Sequence, residues 1–364
     1  MTQRELLVGT KKGLFVLRGE GEGEEPYRIA ERAFEGDVVE YAMRDPRSGR
    51  YFASVTSGFY GPRLLHTLDP AGEWEHASTL AMPPDTGAAL ERVWVVQAGE
   101  ADDQLWAGVD PAALFESRDG GLTWELNRAL WDDPTRARWQ PGNGGLCLHS
   151  ISTWPGDPLR LSLGISAVGY WVTEDGGGSW RRSNAGIVAR YLPVELRETS
   201  IDQCIHNLHR APLRPERLFM QFHGGVYRTD DNGDTWVSIA DGLPADFGFP
   251  IVGDPADPDS AYVIPLVADR DRVTVDGRLR VFETRDAGVT WTARTEGLPQ
   301  HDAYLTILRQ ALDTDGEGAG LGLWFGATSG EVFGSVNAGA TWFTVAEHLA
   351  PVTSVRVASP SPVG

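Results

Sequence analysis

The sequence predicts an all-β protein, a seven-bladed β-propeller, on three observations. A turn motif recurs along the chain, paired short β-type segments precede each copy, and glycine and proline are dense enough to break long helices. The motif reads Ser/Thr, any, Asp, any, Gly, any, Ser/Thr, Trp. It appears as SRDGGLTW (117–124), TEDGGGSW (173–180), TDDNGDTW (229–236) and TRDAGVTW (284–291). SVNAGATW (335–342) is a fifth copy with Asn337 in the Asp position, and TLDPAGEW (67–74) is a decayed sixth. The tryptophans stand at 74, 124, 180, 236, 291 and 342, in steps of 50, 56, 56, 55 and 51 residues. Self-similarity at such a period is the mark of a repeat architecture.

Each copy follows two short β-type segments, as in LFMQFHGGVYRT (218–229) and LGLWFGATSGEVFGS (321–335). LLVGTKKGLFVLR (6–18) has the same pairing without a surviving motif, which makes seven units. Upstream of the pair, several units carry a further apolar stretch ending in a Pro-rich turn: LCLHSISTWPGDPLRL (146–161), CIHNLHRAPLRPERLF (204–219) and FPIVGDPADPDSAYV (249–263). One unit is therefore four antiparallel strands, A to D, with the motif closing the C–D hairpin. Radial repetition of such units protects sheet edges. The chain reads as one domain, 1–364, in which the tail strand 352–358 supplies the A strand that the first unit (5–32) lacks. The motif aspartates Asp119, Asp175, Asp231 and Asp286 are expected to accept turn N–H groups. The motif glycines are expected at positive φ, and Trp124, Trp180, Trp236, Trp291 and Trp342 between blades.

These repeats resemble the Asp-box (BNR) repeats of bacterial sialidases, sortilin-type receptors and photosystem-assembly-factor-like propellers. More narrowly, WQPGNGGLCLHS (139–150), QCIHNL (203–208), QFHGGVYRTDD (221–231) and DGLPADFGFP (241–250) are similar to bacterial WD40/YVTN/BNR-like proteins labelled exo-alpha-sialidase or glycosyl hydrolase. The resemblance implies the propeller fold. For activity it spans glycosidases, receptors and assembly factors.

Composition narrows the partners. The 364 residues carry a formal charge of −19, with 32 Lys and Arg against 51 Asp and Glu. Only Lys11 and Lys12 are lysines. A broad cationic surface for phosphate backbones is excluded, so no nucleic-acid partner is expected. No apolar run approaches the ~18 residues of a membrane span. The first residues lack the basic and apolar regions of an export signal, and two cysteines make no disulfide framework. The expectation is a cytoplasmic protein with reduced thiols.

Antiparallel order puts the A–B turns and Asp boxes on one face of the disc, and the B–C turns and D–A loops on the other. That second face receives the long stretches 125–145 and 181–203 and the hairpin VADRDRVTVDGRL (267–279), so the site is expected at its central mouth. Aligning Pro158 with Pro215 superimposes Cys147 on Cys204 and His149 on His206, each cysteine two residues before its histidine. Residues two apart on a strand share a face. His223 ends strand B beside His206.

His149, His206, His223 and Cys204 are thus the candidate catalytic groups. The three histidines are also a candidate zinc-like divalent metal site, because Zn²⁺ takes neutral imidazole and thiolate. Equally open is that the cysteines pack as small hydrophobes and the histidines merely line the channel. Ligand contacts are assigned to Lys11, Lys12, Arg138, Trp139, Asn143, Glu198, His301 and Tyr304, whose aromatic, cationic and carboxylate groups suit a glycan or a small polar ligand. His209, on the strand face opposite His206, is expected to be structural, and Phe247 and Phe249 are expected in the core.

Two functions remain. One is a binding propeller that takes a small polar ligand or a partner protein at the loop-rich face. The other is a glycoside hydrolase of the sialidase type, or another hydrolase or lyase, metal-dependent or not. The resemblance to sialidases implies an Arg-Ile-Pro motif and an arginine triad. The nearest match is Tyr27-Arg28-Ile29-Ala30, without the proline, and Arg92, Arg138 and Arg190 are selected by no motif.

Overall fold

A computed structural model describes residues 4–19, 26–268, 270–316 and 318–358. The ends of the expected 1–364 domain and residues 20–25 of its first unit lie outside these. Among the described residues the chain forms five four-stranded antiparallel sheets and one eight-stranded sheet. Helix is confined to Arg128–Trp131 and short 3₁₀ turns. The high glycine and proline content, with strands rich in Val, Leu, Phe and Trp, leaves little else for the chain to form.

The innermost strands run in chain order as Val38–Arg44, Arg92–Ala98, Cys147–Trp154, Ile205–Arg210, Gly248–Asp254, Ile307–Asp315 and Val352–Ala358. Each packs against the next, and the last packs against the first, so the cycle closes. The eight-stranded sheet is two four-stranded halves joined where Gln310 meets Ser354 in parallel. Its second half is built as the sequence suggested. The tail strand Val352–Ala358 lies antiparallel to Glu5–Thr10, pairing Leu7 with Arg356 and Gly9 with Ser354. Thr353 then donates to the Val39 carbonyl at 2.5 Å, tying the tail to the following sheet. Between sheets sit large buried rings, including Trp106, Trp324, Tyr170, Tyr227 and Tyr262.

The recurring motif closes every hairpin in which it occurs. Asp231 Oδ1 accepts from Thr229 Oγ1 at 2.6 Å and Thr235 N–H at 2.8 Å, while Oδ2 accepts from Thr235 Oγ1 at 2.6 Å. Asp119, Asp175 and Asp286 accept the equivalent bonds. Asn337 keeps the geometry, accepting Thr341 N–H at 3.0 Å and donating to Thr341 Oγ1 at 2.8 Å. Gly233 takes φ 91° and packs where a Cβ would strike the Tyr170 ring, so both conformation and space require glycine there. The indole N–H groups of Trp180, Trp236 and Trp291 reach back to Asn127 Oδ1, the Ser183 carbonyl and the Ile239 carbonyl of the preceding unit. Trp124 bonds within its own turn, to the Gly121 carbonyl.

Two outcomes follow. A Cβ on Gly9 would lie 2.7 Å from the Val39 carbonyl, so Gly9→Val should cost about 2 kcal/mol by overpacking the closing strand pair. A urea midpoint unchanged from wild type would contradict this. Hydrogen bonds hold the Asp231 carboxyl below its usual range. That contribution is present above the ordinary carboxylate value and lost as pH falls through the lowered one. Asp231→Ala should cost about 1 kcal/mol at neutral pH, since the group is largely solvated. Asp231→Asn should cost less because Asn337 already fills this role, and thermal melts of both variants test the order.

Candidate functional site

A β-bulge inserts an extra residue into one strand and redirects a side chain. In every unit the innermost strand carries such an irregularity near its loop-rich end. Register shifts bracket Glu40, Trp94, His149 and His206, each left between two ladder pairs. Thr353 occupies the same place in the tail strand. Phe249 and Arg309 fall within wider irregularities, Gly248 to Ile251 and Ile307 to Leu312. These residues, one per innermost strand, gather at the hub. His206 stacks on Phe249 at 4.8 Å, the Arg309 guanidinium lies over Phe249 at 4.9 Å, and Trp94 approaches His149 at 6.4 Å.

Hydrogen bonds across the hub plug the channel. Gln310 Nε2 donates to the His149 carbonyl at 2.6 Å, and Asn207 Nδ2 donates to the Arg309 carbonyl at 2.7 Å. Arg356 in turn donates to Gln310 Oε1. On the A–B-turn side of this plug a cavity of about 310 Å³ is lined by Tyr41, Arg44, Asn207, Gln310 and Arg356.

On the loop side two cavities share Arg309. The first, about 390 Å³, is lined by Lys11, Glu40, Arg92 and Trp94. Glu40 pairs with Arg92 at 3.2 Å, and burial raises its carboxyl above the usual range. The second cavity, about 250 Å³, brings together Asn143, Ser166, Tyr191, Cys204, His206, His223, Phe249, Arg272 and Arg309. Three loops and two hairpin ends converge there.

Within the second cavity, ligand atoms of Cys204, His206 and His223 lie within 4.8 Å of one another. His206 Nδ1 donates to the Gly248 carbonyl at 2.6 Å, which leaves Nε2 carrying the lone pair. Its ring stands edge-on to His223 at 5.3 Å and to Phe247 at 5.3 Å. Burial holds the His206 imidazole neutral, well below its ordinary pKa, and the Arg309 charge adds to the shift. Burial likewise raises the Cys204 thiol, against the opposing pull of Arg309. Cys204 Sγ lies 3.2 Å from Ser166 Oγ, and the Cys204 N–H donates to Tyr191 Oη at 2.8 Å. The phenol itself donates to the Asp202 carbonyl at 2.9 Å.

The other predicted residues divide. His149 does not join the cluster. It is fully buried, its Nε2 donates to the Ile205 carbonyl at 2.9 Å, and its Nδ1 accepts from Ser150 Oγ at 2.9 Å. With both nitrogens held by protein it has no lone pair for a metal, which corrects the three-histidine set. Cys204 takes the third place. Cys147 is buried against the Gly144 and Gly145 carbonyls, its thiol pushed up to about 12.

Trp139 is also corrected. It is core, packed on Trp171 at 5.4 Å beneath the Arg136 guanidinium. Asn143 lines the second cavity and Lys11 the first. Lys12, Arg138, Glu198 and His301 are exposed and line none of these cavities. Tyr304 lies apart, in a groove with Val267, Asp271 and Asp276. Of the three sialidase-type arginines, Arg92 pairs with Glu40, Arg190 pairs with Asp246 at 3.2 Å, and Arg138 is exposed, so they form no common site. Phe249 is buried in a core cluster with Phe247 and Leu266, as expected, and also floors the cavity. Arg272, Arg309 and Ser166 had no place among the site residues read from the motifs. Their only earlier signal was position, at strand ends and in loops on one face.

No family model and no curated protein matches the chain. Solved structures do. An ancestral GH74 enzyme superposes with a TM-score of 0.56 at 14% identity over 88% of this chain, and the chain spans only 38% of that protein. YCF48 bound to a D1 peptide gives 0.52 at 15% identity, covering 83% of this chain and 80% of that one. Apo AztD from Citrobacter koseri gives 0.52 at 11% identity over the whole of both chains. At such identities the likeness establishes the fold, an all-β propeller. Among the described residues no helix is long and apolar enough to cross a membrane.

Burial sets a pH response. His149 is held neutral well below its usual value, and His209 is pushed down to about 4, in both cases chiefly by desolvation. Below the unfolded value of about 6.5 the unfolded chain takes up protons that the native chain refuses, so stability falls with pH. Each histidine should contribute a slope of up to about 1.4 kcal/mol per pH unit between pH 6.5 and 4. Urea midpoints at pH 7, 6 and 5 check it. A flat profile would mean these rings are protonated in the folded state.

Proposed function

We propose that the chain is a seven-bladed propeller of the Asp-box kind, whose loop-rich mouth binds a small anionic ligand, carboxylate- or phosphate-bearing. One observation carries the reading. In a chain with 51 acidic residues and a charge of −19, no Asp or Glu among the described residues lines the cavity of Cys204, His206 and His223, while Arg272 and Arg309 both do. Guanidinium forks match carboxylate and phosphate geometry. Tyr191, Ser166 and Asn143 add polar groups on the same walls, and Phe249 supplies a flat apolar floor beneath Arg309. A cavity of about 250 Å³ suits a small ligand rather than a polymer. The structurally similar YCF48, bound to a peptide, supports binding as a use of this architecture.

The glycosidase reading has less behind it. Glycoside hydrolysis ordinarily requires two carboxyl groups flanking the bond, and the described residues lining this cavity include neither. The tyrosine in it is bonded to backbone rather than to a carboxylate.

Thermal melts against citrate, phosphate and a sugar acid, with their neutral counterparts as controls, test the proposal. Anions should stabilise by about 2.7 kcal/mol at a hundred times Kd, and the effect should weaken with salt. Arg309→Gln should lose most of that shift while melting near wild type without ligand. Equal response to neutral and anionic compounds, or an undiminished shift in the variant, would overturn the reading.

A further inference from the structure

The chain itself builds the Cys204, His206 and His223 arrangement. Cys204 and His206 flank Ile205 at the start of one innermost strand, and His223 follows the neighbouring strand Leu218–Phe222. The His223 N–H donates to the Cys204 carbonyl at 3.0 Å, which fixes the two residues opposite each other across the strand pair. His206 Nδ1 is committed to the Gly248 carbonyl, so its Nε2 lone pair is oriented by a backbone acceptor, as in ligating histidines generally. Aromatic rings hold both imidazoles: Phe249 and Phe247 against His206, Tyr191 and Phe247 against His223.

We propose that Cys204, His206 and His223 bind one divalent cation of the zinc class, with a fourth position left open toward Arg272 and Arg309. The proposal rests on the anionic-ligand reading above and deepens it, because the anion enters that fourth position. Thiolate and imidazole select zinc-class ions, whereas Mg²⁺ and Ca²⁺ require oxygen ligands that this set does not contain. Bonds of about 2.0 Å to nitrogen and 2.3 Å to sulfur place tetrahedral ligand atoms about 3.5 Å apart. One ligand atom from each residue already lies within 4.8 Å of the others, and a bound cation would have to draw them to that spacing.

Three protein ligands with one exchangeable position is the arrangement of ligand-exchanging sites, while structural zinc takes four. A cation of charge +2 and one thiolate leave the centre with a net positive charge, which an anion in the fourth position offsets.

Cobalt(II) is the probe, added to untagged, metal-free full-length protein. Titration should saturate at one equivalent, with a thiolate-to-cobalt charge-transfer band and ligand-field bands of tetrahedral intensity. Cys204→Ser should abolish the charge-transfer band, Cys147→Ser should retain it, and His206→Gln should weaken binding about 100-fold. The absence of a charge-transfer band in wild type, or its survival in Cys204→Ser, would overturn the proposal whatever the fate of the other variants. Adding citrate to the cobalt form should shift the ligand-field bands. Unmoved bands, with citrate binding equally well to metal-free protein by calorimetry, would sink the metal centre and leave the anion site. One equivalent of cobalt with no anion bound in either form would do the reverse.

Discussion

Ring closure is the constraint on which the rest depends. Val352–Ala358 and Glu5–Thr10 are separated by nearly the whole chain, yet they form adjacent strands with a continuous run of paired residues from Glu5–Ala358 to Gly9–Ser354. The entropic cost of joining distant segments grows only slowly with separation, so one well-packed strand pair can meet it. Gly9 permits the approach, since a side chain there would collide with the Val39 carbonyl and the Thr353 hydroxyl. Closure turns the inner sheet edges toward one another around the axis, where they are short and protected. It also brings the innermost strands close enough for their side chains to meet across the axis.

Once the strands converge, the bulges decide what the axis contains. A regular ladder would aim alternate side chains into the packing between sheets, where apolar residues are required. The extra residue in each innermost strand escapes that alternation, and Glu40, Trp94, His149, His206, Phe249, Arg309 and Thr353 occupy the hub in consequence. The polar members differ in fate. His149 satisfies both nitrogens on neighbouring groups and becomes part of the plug. His206 satisfies one, and the unspent nitrogen makes it chemically available.

This difference explains what could and could not be read from the sequence. The fold was legible because each motif is local: an Asp two residues beyond a Ser or Thr, a left-handed glycine, and a tryptophan that must be buried all act within eight residues. The tail pairing was legible too, since one unit lacked a strand and the chain ended with one to spare. Repeat alignment equated His149 with His206 and Cys147 with Cys204, and both histidines do stand at equivalent bulges. The alignment could not say which histidine would find partners for both ring nitrogens. Ser150 follows His149, whereas Asn207 follows His206 and turns instead to the Arg309 carbonyl. Trp139 misled for a similar reason. Its loop folds back so that Arg136 covers the ring, and an aromatic in a long loop became core. Arg309 carried no local signal at all, because its place depends on an irregularity four residues long.

The position of Arg309 links the site to the closure that makes it. Its strand, Ile307–Asp315, is the one that meets the tail in parallel, at Gln310 and Ser354. Gln310 holds the His149 carbonyl on one side and receives Arg356 of the tail on the other, while the Arg309 carbonyl is held by Asn207. The guanidinium that faces the cavity is therefore anchored through its own backbone to the strands that carry His149 and His206, and through its neighbour to the closing strand. A half-buried charge held near a fully desolvated imidazole is costly unless its position is fixed and its field is useful. Here the same field that lowers the basicity of His206 and opposes protonation of Cys204 is the field an incoming anion would meet. The hub uses its polar groups to hold that charge in place, and no acidic residue among those described lines the cavity it faces.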